Sequence, residues 1–454
     1  MAAAAPSSPP PTPGPVTAIR GPALTFGADS AGSDGEPIAR HEADAIIVMQ
    51  DGLITAFGPA SEILPQLPAG AAVTDHGRDA LILPGFIDCH VHYPQTQIIG
   101  SYGRQLLDWL NRYTFVAEQQ FADPAHAAAV AEIYLKENLR NGITTACVFG
   151  TVHPQSADIL FAQAERLGMR LIAGKVMMDR NAPAALTDTA QGSYDDSKAL
   201  IARWLGRGRL GFAITPRFPA TSTPEQLAVA GALRAEFPGC HLQSHIAENL
   251  AEVAWMAALF PARQGYLDIF DHYGLLGPRT ILGHGIHLGE AELQRAAATG
   301  TAIAHCPTSN LFLGSGCLDL ARLRNAARPV RVGLATDLGA GTTFSILGTL
   351  GEAYKVAHLG GQPLSAYQAF DLATRGSAQA LYLDDRIGGI AAGMEADLAV
   401  LDLRSTPLID FRMRHAGDLA EALFIQMTMG DDRAVLATYV AGRCLYRRPT
   451  PSFG

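Results

Sequence analysis

Short apolar runs alternate with longer stretches rich in Ala, Leu and Glu between about residues 84 and 393. This alternation is typical of repeated βα units, which build a parallel sheet covered by helices. The runs predicted to be strands are residues 81–92, 143–149, 170–176, 212–216, 241–245, 280–284, 301–305 and 330–337. Eight strands in a segment of this length fit a (β/α)8 TIM barrel, which needs about 250 residues, better than an open sheet. We therefore predict an α/β protein with a barrel over residues 84–392.

Both ends of the chain carry a different pattern of short β-like runs. Residues 46–49 and 53–57 flank Gln50-Asp51-Gly52, a hairpin turn signature. Residues 396–401 and 435–440 repeat this character near the C-terminus. We expect residues 18–83 and 393–454 to form one small β-sandwich, preceded by a disordered Ala- and Pro-rich tail over residues 1–17.

The composition narrows the classes of function. Hydrophobic residues make up 48% of the chain and charged residues 17%, which is typical of a globular protein with a large core. The net charge of -9, without long runs of one sign, argues against a nucleic-acid-binding protein and favours a small, weakly polar substrate. No stretch is long and apolar enough to predict a membrane span. The six cysteines are far apart and form no C-x-x-C pair, so reduced thiols in the cytoplasm are expected.

Histidines and an aspartate stand at the ends of several predicted strands. His90 and His92 end the first strand, and the alternation of a strand places both imidazoles on one face. Taken alone, this H-x-H pair is more often structural than metal-binding. His245, His284 and Asp337 end strands five, six and eight, and the carboxyl ends of barrel strands converge on one mouth. The sequence therefore predicts a metal site there, with ligands that suit Zn²⁺ but also Fe²⁺ or Mn²⁺.

This set of ligands resembles that of the amidohydrolase superfamily, and longer stretches resemble its guanine deaminases. These stretches are residues 99–103, 106–115, 174–181, 215–218 and 305–310. The resemblance runs from about Leu83 into the C-terminal segment. Cys89 stands where the family leads us to expect Thr, and Pro219-Ala220 where it usually has Ala-Pro, but neither departure touches an expected ligand.

The resemblance implies that a zinc-activated hydroxide attacks C2 of guanine and releases ammonia and xanthine. His90, His92, His245 and His284, or a subset of them, would bind the ion. Asp337 would be both a ligand and the base. Guanine and water are then the expected partners, and a homodimer is expected from the resemblance alone.

A single ion per subunit is expected from the residue at the end of the fourth strand. Some members of the superfamily hold two ions bridged by a carboxylated lysine there, whereas this chain has Arg217. Lys175 ends the third predicted strand, and we expect it to be structural.

Glu248 is the expected proton shuttle. It lies three residues after His245, and this H-x-x-E arrangement is similar to the acid/base residue of the family. Without the metal site, Glu248 would be interpreted as a solvent-facing glutamate that opens a helix, where the helix dipole favours a negative charge.

Substrate contacts are expected from Gln95, Arg217 and Phe218, beside His245, Glu248 and Asp337. Arg217 could donate to O6 of guanine, or it could form an ion pair with a barrel carboxylate. Gln95 offers a donor and an acceptor to the purine edge, and Phe218 either stacks on the ring or packs in the core. Trp109 and Phe115 either border the pocket or serve packing, and His287 and His305 are expected in supporting or structural roles.

Two alternative functions remain at this point. Another aminohydrolase of the superfamily, acting on a different nucleobase or a triazine, would share the metal and the glutamate. Arg217-Phe218 and residues 99–115 favour guanine over these. A metal-free scaffold relative is the alternative from a different class, and the retained set of ligands argues against it.

Overall fold

The computed structural model describes residues 13–27, 36–103 and 105–449. The predicted tail falls mostly on residues 1–12, which lie outside the described residues, and the first strand begins at Thr17. The strands are β1 (Thr17–Phe26), β2 (Ala39–Gln50), β3 (Leu53–Pro59), β4 (Ala72–Asp75), β5 (Ala80–Pro84), β6 (Phe86–His92), β7 (Ile143–Phe149), β8 (Arg170–Gly174), β9 (Val176–Met177), β10 (Leu210–Pro216), β11 (His241–Ile246), β12 (Thr280–His284), β13 (Ala302–His305), β14 (Arg331–Leu334), β15 (Leu398–Asp402), β16 (Val435–Val440) and β17 (Arg443–Arg447).

Helices follow most of the strands in the central part of the chain. They are α1 (Ala60–Ile63), α2 (Leu106–Trp109), α3 (Phe115–Gln119), α4 (Pro124–Arg140), α5 (Pro154–Leu167), α6 (Ala190–Trp204), α7 (Pro224–Glu236), α8 (Leu250–Leu259), α9 (Tyr266–His272), α10 (Glu290–Thr299), α11 (Pro307–Phe312), α12 (Leu320–Leu323), α13 (Ile346–Leu359), α14 (Ala366–Asp371), α15 (Ser377–Ala380), α16 (Pro407–Met413) and α17 (Leu419–Met429). A π-helical turn, Leu110–Thr114, joins α2 to α3.

The central sheet is a parallel barrel. Its strands β6, β7, β8, β10, β11, β12, β13 and β14 neighbour one another in chain order, and the short β9 also pairs with β10. The N–H of Asp337, after β14, donates to the carbonyl of His90 on β6 at 3.0 Å, which links the last strand to the first. Every residue of β7 and β8 is buried, as expected for strands covered on both faces. The predicted (β/α)8 barrel is confirmed.

The first predicted strand, residues 81–92, is wrong as a single element. The structure divides it at Gly85 into β5, which belongs to another sheet, and β6, which belongs to the barrel. A Cβ atom on Gly85 would lie 2.1 Å from Oγ1 of Thr144, so only glycine allows this close approach. The last predicted strand is also too long, because β14 ends at Leu334 and leaves Asp337 in a loop.

Segments from the two ends of the chain form a second, separate sheet. Its strand order is β17-β16-β15-β5-β1-β2-β3, and β4 lies beside β1. The pairing of β5 with β15 joins the N-terminal and C-terminal parts. Ile47, Ile82, Leu398 and Val400 are among the residues of its apolar core. The prediction that both ends contribute to one β-structure beside the barrel is therefore confirmed.

Within the described ranges, no helix combines the length and the apolar character that crossing a bilayer requires.

Candidate active site at the barrel mouth

The five predicted metal ligands meet at the carboxyl ends of the barrel strands. His90 and His92 lie on β6, His245 on β11, and His284 is the last residue of β12. Asp337 follows β14 after two intervening residues. His284 and Asp337 have φ angles of 73° and 47°, a left-handed conformation that is strained for residues with a side chain. Such strain is typical of functional sites, where the surrounding structure holds a side chain in place.

Three imidazoles and one carboxylate face a common point. Nε2 of His92 lies 3.0 Å from Nε2 of His245. Oδ1 of Asp337 lies 3.5 Å from Nε2 of both His90 and His92. Ligand atoms of His90, His92 and His245 all lie within 4.8 Å of one another. The spacing is compatible with a single small cation among them.

The protonation states of these imidazoles fit a cation site. Burial, followed by the neighbouring imidazoles, holds the pKa of His90, His92 and His245 well below its usual value, so these side chains are neutral and can act as ligands. Both ring nitrogens of His90 are buried without a hydrogen-bond partner among the described residues. Leaving such an atom unpaired costs about 1–3 kcal/mol. A divalent ion would satisfy it, so the donor set fits the expected metal.

His284 faces the carboxylates of the site. Its Nε2 lies 3.5 Å from Oε2 of Glu248 and 3.8 Å from Oδ2 of Asp337. Its Nδ1 is hydrogen-bonded to Oδ1 of Asn310 at 2.8 Å, which fixes the orientation of the ring. Burial disfavours the charged ring, but Glu248 and further neighbours outweigh it and raise the pKa of His284 well above its usual value. His284 therefore lies between the two carboxylates that are expected to handle protons.

Glu248 is a buried carboxyl group at the edge of the site. Its Oε1 accepts a hydrogen bond from Oγ of Ser315 at 3.0 Å, and its backbone N–H donates to Oε2 of Glu252 at 2.9 Å. Burial raises the pKa of Glu248 to about 7. A carboxyl group with a pKa near neutrality can both accept and donate a proton. Nothing in the spacing of the sequence singled out Ser315.

Arg217 forms an ion pair, which was expected from the sequence as the alternative to a contact with O6. The partner carboxylate does not belong to a barrel strand. Its Nη1 donates to Oε1 and Oε2 of Glu118 at 2.9 and 2.7 Å. Glu118 lies on α3, in the connection that follows β6. The side chains of Arg217 and Glu118 are only 2% and 0% exposed. Sequence reasoning missed Glu118, because no motif or spacing marks it.

A cavity that is open to solvent is lined by these groups. Its polar lining includes all the predicted substrate contacts except Phe218, which contributes an aromatic ring; the polar residues are His92, Gln95, Arg217, His245, Glu248, Glu252, His284 and Asp337. Its apolar lining includes Leu106, Trp109, Leu110, Leu313 and Ala340. An apolar wall with a few polar groups is the lining typical of small-molecule sites.

The remaining residues of interest take supporting positions. Nε2 of His287 is hydrogen-bonded to the carbonyl of Ser315 at 3.0 Å, which braces the segment that holds Glu248. His305 is buried on β13, and burial lowers its pKa to about 3. Lys175 donates to Asp188 and to the carbonyl of Val176. Phe115 is not among the residues that line the cavity, but the centroid of its ring lies 5.7 Å from the guanidinium carbon of Arg217.

Known proteins resemble this chain over most of its length. The amidohydrolase family profile matches residues 81–445. The chain is 49% identical to the guanine deaminase of Escherichia coli (strain K12) over 405 residues, which are 89% of this chain and 92% of that protein. The solved structure of the E. coli guanine deaminase has a TM-score of 0.93 and covers 95% of this chain and 100% of that one, at 46% identity. A guanine deaminase from C. acetobutylicum with guanine bound in its active site has a TM-score of 0.84 at 28% identity and covers 95% of this chain and 100% of that one. The chain therefore belongs to the amidohydrolase family and, within it, to the guanine deaminases.

Proposed function

We infer that this protein hydrolyses guanine to xanthine and ammonia, a step of guanine catabolism. The observation that carries this inference is that one cavity contains an imidazole and carboxylate cluster suited to a metal, a glutamate with a raised pKa, and a buried arginine. The 49% identity to a guanine deaminase over 89% of the chain supports the same substrate.

We propose that His90, His92, His245 and Asp337 bind one divalent ion, with Zn²⁺ the best match to the ligand types. When bound, such an ion lowers the pKa of water and supplies a nucleophile at neutral pH. His284, also predicted as a ligand, does not belong to the group of His90, His92 and His245, and its Nε2 faces Oε2 of Glu248 at 3.5 Å and Oδ2 of Asp337 at 3.8 Å. In this proposal it orients the two carboxylates.

Two carboxylates divide the proton transfers. Asp337 accepts the proton of the attacking water in this proposal, which is supported by the 3.5 Å distance of its Oδ1 from Nε2 of both His90 and His92. Glu248 delivers one proton to a ring nitrogen, takes up the proton that Asp337 removed from the water and passes it to the departing amine. The proton of the new hydroxyl group at C2 then restores Glu248. Ser315 occupies Oε1 of Glu248, so Oε2 remains for the exchange. One water enters, the C2–N bond breaks, and ammonia leaves as xanthine forms.

Recognition of guanine is assigned to Arg217, Gln95 and Phe218. The free donors of Arg217 suit O6, and Gln95 suits a purine edge that has both donors and acceptors. The apolar residues of the cavity exclude water around the ring. A site with buried donors for O6 should reject an analogue that lacks this oxygen, because the donors would then stay unpaired.

We also propose that the protein works in the cytoplasm as a homodimer, without nucleic-acid or membrane partners. All six cysteines are free thiols, which suits a reducing compartment. The dimer rests on the family resemblance.

The decisive experiment is an assay of the purified, zinc-loaded protein with guanine, adenine and cytosine, following ammonia release and ring absorbance. Xanthine formation from guanine alone would support the proposal. Activity on another base would keep the chemistry but overturn the assignment of the pocket. Metal analysis completes the test, since a protein without bound zinc and without gain from added zinc would be a scaffold.

A further inference from the structure

Arg217 and Glu118 form a buried ion pair within the wall of the proposed substrate cavity. Their side chains are 2% and 0% exposed, so water does not screen the pair. Removing two charges from water is so unfavourable that a buried ion pair often adds nothing to stability. The location of this pair beside the cavity therefore suggests a role in binding.

The geometry leaves part of the guanidinium free. A single nitrogen, Nη1, donates to both carboxylate oxygens of Glu118. The guanidinium has five N–H donors on three nitrogens, and among the described residues no side-chain hydrogen bond uses Nε or Nη2. Arg217 also lines the cavity, and Phe115, from the same helix as Glu118, lies against the guanidinium. Helix α3 thus contacts the guanidinium through Phe115 and Glu118, and Arg217 also borders the cavity.

The backbone of Arg217 is fixed as well. Its carbonyl accepts a hydrogen bond from Oγ of Ser244 at 3.0 Å and is bonded to Nδ1 of His245 at 2.8 Å. The backbone carbonyl of Arg217 is therefore held by Ser244 and His245, and its guanidinium is held by Glu118.

Glu118 also changes the charge that a ligand meets. The other charged groups that line this cavity are the carboxyl groups of Glu248, Glu252 and Asp337, beside the imidazoles. Without Glu118, the guanidinium would lose the carboxylate in direct contact with it and would keep its positive charge in a site of low dielectric, where attraction for an anion is strong. Paired with Glu118, it offers hydrogen-bond donors without net charge.

We propose that Glu118 is a positioning residue, which aims Arg217 at the 6-oxo group and neutralises it, so that the cavity prefers a neutral 6-oxopurine over an anionic one. The inference rests on the proposed function. It matters for that reaction because xanthine is more acidic than guanine and loses a proton near neutral pH. Neutralising Arg217 lets the anionic product leave.

The test compares Glu118→Gln with the wild type by binding calorimetry and by kinetics. Xanthine is offered below and above the pH of its own ionisation. Hypoxanthine, which keeps O6 and stays neutral over that range, reports any effect of pH on the protein itself. Glu132→Gln is the matched control, because Glu132 forms an exposed pair with Lys136 on the outer helix α4.

We expect Glu118→Gln to raise the KM for guanine ~tenfold, since hydrogen bonds to a charged group are worth about that factor or more. At a pH above the ionisation of xanthine, we expect the ratio of xanthine affinity to hypoxanthine affinity to be ~tenfold higher in Glu118→Gln than in the wild type. A ratio of xanthine to hypoxanthine affinity equal to that of the wild type would overturn the proposal, because a merely structural glutamate would not change this ratio.

Two further variants keep the test valid if Glu118→Gln does not fold. Glu118→Asp retains the carboxylate on a shorter arm, so it should keep the wild-type affinity ratio while KM rises. The double variant Glu118→Gln with Arg217→Gln removes both charges and should show no gain for the xanthine anion; a gain there would overturn the proposal. A wild type that does not deaminate guanine would refute the proposed function instead, whereas the affinity ratio would still be measurable by calorimetry.

Discussion

The two ends of the barrel bury charged and polar side chains in different ways. At the opposite end from the mouth, Arg170 at the start of β8 and Arg209 just before β10 both donate to Glu395. Arg209 also pairs with Asp397. At the mouth, both ring nitrogens of His90 are buried with no hydrogen-bond partner in the described part of the chain, and His284 and Asp337 adopt strained backbone conformations.

The difference shows which end is arranged for a ligand. Buried polar groups in native proteins are almost always paired, so a cluster of unpaired ones indicates a missing partner. The paired charges of the other end join the barrel to the segment that leads into β15. In TIM barrels the carboxyl ends of the strands carry function and the opposite end carries stability. Four substitutions test this division, from the largest expected effect to the smallest.

Glu248→Gln should abolish most activity at the mouth. The amide cannot exchange a proton as the carboxyl group does, and general acid-base catalysis is worth about 10²–10⁴-fold in rate. We expect kcat to fall by about that factor, with zinc content and Tm close to those of the wild type. The half-buried Glu352→Gln on α13 is the control, since among the described residues Glu352 forms its ion pair with the exposed Lys355. Wild-type turnover in Glu248→Gln would remove Glu248 from the mechanism.

Arg217→Ala should weaken the use of guanine without removing the metal. Loss of a charged donor to O6 lowers kcat/KM by about a hundredfold. Stability should fall as well, because Glu118 then stays buried without its cation. Steady-state kinetics, metal analysis and Tm separate these effects, with the exposed Arg203→Ala for comparison. Unaltered kinetics would contradict the assignment of Arg217 to O6.

Glu395→Gln changes the end of the barrel opposite the mouth and should lower stability without changing activity. It leaves Arg170 and part of Arg209 uncompensated in a mostly buried setting, which we expect to lower the free energy of unfolding by about 2 kcal/mol. Denaturant titration measures this, against Glu290→Gln, whose pair with Arg328 involves an exposed carboxylate. The kcat/KM per folded molecule should stay at the wild-type value, and a large loss of activity would break the division between the two ends.

The substitution His241→Gln should have the smallest effect on the free energy of unfolding, and this effect depends on pH. His241 begins β11 at the stability end, its Nε2 is bonded to the carbonyl of Leu381 at 2.8 Å, and burial lowers its pKa to about 4. The unfolded chain, with a histidine pKa of about 6.5, binds the proton first. The contribution of His241 to stability is therefore complete above pH 6.5 and is lost as pH falls from 6.5 towards 4.

This loss amounts to about 1 kcal/mol between pH 7.5 and 5.5. His241→Gln keeps a donor for the carbonyl of Leu381 but cannot titrate, so its unfolding free energy should fall less than that of the wild type over this interval. The same change at the exposed His272 is the control. Parallel slopes for wild type and His241→Gln would show that His241 is protonated to the same extent in both states.

The sequence was most informative where the predicted metal ligands stand at regular positions in predicted strands. The strand alternation around His90 and His92 and the strand-end positions of His245 and His284 predicted a cluster that the structure brings together. It failed at Gly85, because one uninterrupted apolar run supplies strands to two sheets. It also missed Glu118 and Ser315, whose partners lie 99 and 67 residues away along the chain.

The sequence by itself determined the class of fold, the ligand types and the family, because these depend on local patterns and on motifs that are contiguous along the chain. Only the tertiary structure decided how the charges are paired. Whether Arg217 faces a carboxylate, whether Glu248 is buried enough to raise its pKa, and which imidazole nitrogens stay unpaired all depend on distances between segments that are remote in sequence. Electrostatic energies vary steeply with such distances and with burial, and neither is encoded in any local pattern.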